Sequence, residues 1–151
     1  MRSRVLEFYG GRRKYVLVLE PGEEVVASVK QFAEQEGLTG ASVQGIGALS
    51  HSELGYFNPT TKEFVSNKID EQTEVLSLLG NIAQDCEDNV KLHIHIVLGC
   101  RDATTRGGHL VAGYVNPTAE LIIEESEEHL RRGVDAPTGL VLLEPRGKEE
   151  A

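Results

Sequence analysis

The segment Lys91-Leu-His-Ile-His-Ile-Val-Leu-Gly99 carries two of the chain's five histidines, His93 and His95, inside an apolar run with strand character. Residues i and i+2 of a strand leave the same face, with Cα atoms about 6.5–7 Å apart. Leu92, Ile94, Ile96 and Leu98 therefore turn to one side, assigned to the core, and the two histidines turn together to the other. Imidazoles so placed reach one divalent ion at ~2.0–2.1 Å from each ligating nitrogen. The open face of an antiparallel strand is also commonly polar, so the pair alone serves either reading. A stable site needs a third ligand, and His109 stands fourteen residues after His95, in Arg106-Gly-Gly-His-Leu110. Its two glycines permit backbone conformations and close approaches closed to other residues. If the strands flanking the CRDATTRGG loop pair, His109 reaches the face of His93 and His95; otherwise it is a surface histidine beside a hairpin turn. His51 and His129 have no such setting and read as surface residues.

Elements able to position these side chains follow from the periodicity. Tyr15–Leu19 follows a Gly10-Gly11 turn and pairs with Val5–Tyr9. From Glu23 to Glu36, apolar residues at Val25, Val26, Val29, Phe32 and Ala33 trace a helical stripe. Two glutamates in its first turn complement the helix dipole, and Gly37 is its C-terminal stop. The period then changes to two. Ala41–Phe57 is a long strand bent or bulged at Gly45, Gly47 and Gly55, and Glu63–Ile69 returns from a turn at Asn58–Thr61. Glu74–Ile82, Lys91–Leu98, His109–Val115 and Leu140–Leu143 complete the strands, while Glu120–Arg132 reads as strand followed by a helical turn. The pattern predicts an α+β fold: one domain over residues 1–145, mostly antiparallel sheet with one main helix packed on it, and a polar tail at 146–151.

Composition narrows the function classes. The 151 residues are 40% apolar but only 5% aromatic, without Trp, which makes the core aliphatic. A net charge of −9 opposes non-specific DNA binding, which needs Lys and Arg to displace counterions from phosphates. No apolar run approaches the roughly 18–20 residues that span a bilayer. The opening MRSRVLEFYGG has no signal-peptide core, so a cytoplasmic location is expected, with Cys86 and Cys100 as reduced thiols. No phosphate-loop or dinucleotide fingerprint is present.

The chain resembles the PPC (plants and prokaryotes conserved, or PCC) domain family over nearly its whole length. The resemblance rests on GRRKYVLVLEPGEE, GASVQGIGALSHSELGYFNP, EVLSLLGNIA, KLHIHIVLG, RGGHLVAGYVNPTAELII and LRRGVDAPTGLVLLE. It implies a sandwich or barrel-like arrangement of antiparallel strands, assembling as a homotrimer. Plant members pair the domain with an AT-hook, and prokaryotic members are often labelled DNA-binding; no Arg-Gly-Arg-Pro hook occurs in this sequence. The family's fold is similar to that of acetolactate decarboxylase, in which three histidines hold a catalytic zinc. Carried onto this sequence, the ligands are His93, His95 and His109, with zinc the default ion because imidazole suits it.

Three histidines with an open position are the catalytic pattern, whereas closed structural zinc sites are usually rich in cysteine. Such a zinc could polarise a carbonyl or lower the pKa of bound water toward ~7. Glu120, at the end of NPTAE, is the first candidate for an acid–base partner, ahead of Tyr56 and Asn58; Arg101 or Arg106 would hold an anion. Three functions are therefore expected to compete. The leading one is a metal protein acting on a small carbonyl or carboxylate compound. The others are a DNA-associated regulator and a structural metal site in a trimeric protein-interaction module.

Overall fold

The computed structural model describes residues 1–145, so the predicted tail at 146–151 lies outside the described residues. Strands β1 (Arg2–Tyr9) and β2 (Arg12–Leu19) precede helix α1 (Val25–Glu36). Strands β3 (Ala41–Asn58), β4 (Glu63–Ile69), β5 (Thr73–Gln84), β6 (Val90–Gly99) and β7 (Thr105–Glu125) follow, and β8 (Arg132–Val134) and β9 (Val141–Leu143) end the described chain. The fold is the expected α+β arrangement, and every ladder between strands is antiparallel.

Strand β3 pairs with β7 along nearly its whole length, from Ala41 opposite Glu125 to Gly55 opposite His109. Its first half pairs on the other side with β5, β5 pairs with β6, and β6 pairs with the start of β7. The ladder β3–β5–β6–β7–β3 is thus a closed ring, with β2 and β1 added to the far half of β7 and β4 to the far half of β3. Register shifts fall between Gly45 and Gly47 and between Gly47 and Leu49, where the glycines predicted bulges.

Inside the ring the core is aliphatic. Leu17, Leu19, Leu49, Ile82, Leu98 and Ile123 are fully buried, and α1 adds Val25, Val29, Phe32 and Ala33. Glu24 is the N-cap rather than a first-turn residue. Its carboxylate accepts from the amides of Val26 and Ala27 and from Gly113 of β7, which ties the helix start to the sheet. At the other end Gly37 adopts φ +66°, a conformation that costs glycine little, and its amide returns to the carbonyls of Ala33 and Glu34.

A charged clamp joins the helix end to two strands. Arg13 donates from Nε and Nη2 to the Glu125 carboxylate at 2.8 and 2.7 Å and from Nη1 to Glu36 at 3.2 Å. Tyr15 adds a hydroxyl hydrogen bond to Glu36 at 2.9 Å. The Arg13 side chain is 30% exposed and that of Glu125 15%, so water screens the pair only in part. Removing the clamp by Arg13→Met is expected to cost about 1.5–3 kcal/mol in a urea melt. A loss below about 0.5 kcal/mol would show the clamp to be an ordinary surface pair.

Two expectations are corrected. Strand β7 starts at Thr105, not His109, and runs on to Glu125, so Arg106-Gly107-Gly108 lies in the sheet. The turn is confined to Cys100–Thr104, closed by Cys100 N–H to Thr104 O at 2.8 Å and capped by the Asp102 carboxylate. The helical turn predicted before Arg132 does not form. Ser126 and Leu130 donate backbone hydrogen bonds to Gly40 and Thr39, and Gln84 donates to Leu130, which holds the segment as a bent connection despite its helix-favouring residues.

Candidate metal centre

The strand alternation places the histidines as the sequence predicts. Ile94, Ile96 and Leu98 are buried on the inner face of β6, while His93 and His95 leave the outer one. His109 sits directly opposite His95 in the β6–β7 ladder. The glycines before it serve close approach: a Cβ on Gly107 would stand 3.0 Å from Ile96 O, and one on Gly108 3.0 Å from Gly55 O. Larger residues there would push β7 away from β6 and β3 together.

One ligand-capable nitrogen from each of His93, His95 and His109 lies within 4.8 Å of the others. The Nε2 atoms of His93 and His95 are 3.1 Å apart, and ring centroids are separated by 4.9 to 5.7 Å. A tetrahedral ion with ~2.0–2.1 Å bonds sets its ligand atoms roughly 3.3–3.4 Å apart, so small side-chain rotations would bring all three into range. Burial lowers the pKa of His93 below the ordinary imidazole value, with further lowering from His95, His109 and the Arg132 charge. Burial likewise lowers that of His109, reinforced by His95 and Arg132. Both rings therefore favour the neutral, ligating form at neutral pH.

These shifts carry a stability prediction for chelator-treated protein. In the unfolded chain imidazole titrates near ~6.5. Below that value the unfolded chain binds more protons than the folded one, so stability is complete above pH ~6.5 and is lost as pH falls through the lowered folded values. The drop in melting temperature between about pH 7.5 and pH 5 should be smaller for His109→Gln than for the parent. Equal drops would show that His109 is not shifted.

The histidines form one side of a pocket of about 590 Å³. Phe57 and Phe64, paired across β3 and β4 with centroids 5.3 Å apart, make an apolar wall, and Phe64 lies 6.1 Å from the His109 ring. Leu140, Val141 and Leu142 close another side. Arg132 also lines the pocket; in the sequence Arg131-Arg132 stands out only as a short basic cluster, with nothing to link it to the histidines. Asn81, opposite His93 in the β5–β6 ladder, accepts a hydrogen bond from Arg132 Nη2.

The remaining sequence candidates stand elsewhere. Glu120 faces Val18 and Ile46 across its ladders and lines a separate concavity with Ile46, Leu76 and Leu79, so no carboxylate from NPTAE joins the histidines of its own chain. Arg106 pairs with Glu71 at 3.8 Å, and Arg101 shares that hollow away from the histidines. Tyr56 is exposed on β3, and the Asn58 side chain caps the following turn by accepting from Thr60 and Thr61. His51 stacks on Tyr114, and His129 is exposed; both are remote from the trio, as expected.

Solved structures place this architecture among known proteins. A plant- and prokaryote-conserved protein from Pyrococcus horikoshii is 31% identical, with TM-score 0.82 over 93% of this chain and 99% of its own. A protein from Archaeoglobus fulgidus named as metal-containing is 33% identical, TM-score 0.82, over 94% and 99%. A Bacteroides thetaiotaomicron protein with a provisional DNA-binding name is 30% identical, TM-score 0.84, over 91% and 94%. Acetolactate decarboxylase from Bacillus subtilis strain 168 shares the fold alone, at 10% identity and TM-score 0.57, over 82% of this chain and 57% of its own. Among curated sequences, the bifunctional protein GlmU of Synechococcus sp. (strain JA-3-3Ab) is 32% identical over 137 residues, 89% of this chain but only 21% of that protein. Residues 7–127, which include all three histidines, match the Plants and Prokaryotes Conserved (PCC) domain, and the chain belongs to that family.

Proposed function

We propose that this chain binds one divalent ion, zinc by default, on His93, His95 and His109, and acts on a small carbonyl or carboxylate compound in the adjoining pocket. The observation that carries this reading is the convergence of three imidazoles from β6 and β7 on one side of a pocket walled mainly by apolar side chains, with Arg132 and Lys91 also on its lining. No cysteine or carboxylate belongs to the group among the described residues, which leaves room for a further ligand and separates it from closed structural sites. Zinc held this way would supply Lewis acidity toward an oxygen of the bound compound. The protein's own part is to favour the neutral form of His93 and His109, to offer Phe57, Phe64 and Leu142 as apolar walls, and to present Arg132 to a negative group. The metal-containing name of the Archaeoglobus relative agrees with this reading.

Titration of chelator-stripped protein with zinc is expected to saturate at one ion per chain. Saturation with no dependence on the histidines, or no uptake at all, would end the proposal. Turnover abolished by chelator and restored by zinc would identify the site as catalytic. Metal retained without turnover, with assemblies dissociating on chelation, would identify it as structural.

We also propose a homotrimer. The resemblance to the family suggests it, and Ile46, Leu76 and Leu79, between 53% and 60% exposed around the concavity that holds Glu120, offer an apolar surface for a second copy. Light scattering at three times the 16.5 kDa chain mass is the expected result. A DNA-associated role draws on the names of relatives. It would need a salt-dependent shift of duplex DNA, against a chain charge of −9.

A further inference from the structure

We infer that Arg132 is the anion seat of the histidine pocket and that the pocket takes a small organic acid with a single carboxylate and an aliphatic or aromatic body. This deepens the proposed function, whose substrate class it narrows, and rests on that reading for the neighbouring ion. Arg132 is 5% exposed and is the one buried charged residue among the described residues. Burying a cation is costly unless a counter-charge meets it. Carboxylates are plentiful: Arg2, Lys14, Lys30, Lys91, Arg106 and Arg131 each have one, and Arg13 has two. Arg132 has none among the described residues.

Its partners are neutral. Nη2 donates to the Asn81 side-chain carbonyl, Nη1 donates to Val141 O at a long 3.4 Å, and Nε finds no partner in the protein. These contacts orient the guanidinium without neutralising it. A fork so held matches a carboxylate, with which it forms short charge-assisted hydrogen bonds.

The surroundings choose among anions. Lys91, the other cationic side chain on the pocket, is committed to Asp85 at 3.2 Å, so Arg132 is the one side-chain charge there left uncompensated. Unless it were bound to the ion itself, the second negative charge of a phosphate or a dicarboxylate would lie against the walls of Phe57, Phe64, Leu140 and Leu142. A monocarboxylate places its charge at Arg132 and its body on those walls. The volume of about 590 Å³ is in the range of small-molecule pockets.

The test compares 3-methylbutanoate with 3-methylbutanamide, nearly equal in shape but different in charge, by calorimetry on zinc-loaded and on chelator-stripped protein. The acid is expected to bind about tenfold or more tightly than the amide in both preparations. Arg132→Lys should lose most of that preference while keeping the parent's metal content and circular dichroism. Equal affinities in the stripped parent overturn the inference. So does a preference that appears only with zinc, which would put the anion on the ion and leave the metal reading intact. If no metal is retained but the acid preference persists, the metal reading fails and Arg132 stands as the seat. Should Arg132→Lys fail to fold, the comparison in the stripped parent decides alone.

Discussion

Alanine in place of His109 is expected to weaken zinc binding at least about 100-fold. Removing an outer partner of a metal ligand already costs 10–100-fold, and removing a ligand costs more. His109 is the only member of the trio on β7, so its loss leaves the two β6 imidazoles, a pair too sparse for a stable site. Partial exposure on the outer face means that little core packing is lost with the ring. Competition with a chromophoric chelator measures the change directly. Undiminished affinity would remove His109 from the site and with it the central claim.

The second large effect is expected from a single methyl group. Gly80 of β5 lies opposite Ile94, between the pairs Asn81–His93 and Leu79–His95. A Cβ there would stand 2.5 Å from His93 O and 2.8 Å from Ile94 Cγ1. Backbone cannot yield as a flexible side chain does, so Gly80→Ala must displace β6 where the ligand pair sits. A stability loss of about 1–3 kcal/mol is expected, together with weaker zinc uptake. Ile94→Val, costing roughly 0.5–1.5 kcal/mol on the inner face, should leave zinc uptake at the parent level. If both variants lose stability alike and neither changes uptake, strand position and ligand geometry are not coupled.

What the sequence made legible was local. Period-two alternation assigned the faces of Lys91–Leu98 correctly, because one face must enter an aliphatic core and a slip of one residue would reverse every side chain. The stripe from Val25 to Ala33 and the stop at Gly37 located the helix for similar reasons. Long-range effects were not legible. Gly107, Gly108 and Pro117 look like interruptions of β7, yet the strand persists because β3 flanks it along most of its length and β6 and β2 flank its two ends. Glu120 looks near the histidines only along the chain. Eleven residues of strand at ~3.3 Å each separate it from His109 by up to about 35 Å of chain, and it lines a different concavity. Arg132 lies far along the chain from His93 but is brought beside it by the bent segment that crosses the end of β5.

Among the described residues the β8–β9 hairpin forms no ladder with the ring and meets it at this pocket through Arg132 on Asn81, whereas the strands bearing the histidines are locked into the ring. The two halves of the pocket therefore differ in how freely they can be rewritten. Substitutions at 140–142, which line the pocket from the hairpin, would reshape what enters without touching the β5–β6 and β6–β7 ladders, whereas Arg132 is tied to them through Asn81. If the proposed site is right, variation at 140–142 is expected to change which compounds bind while zinc affinity, read by chelator competition, stays at the parent level.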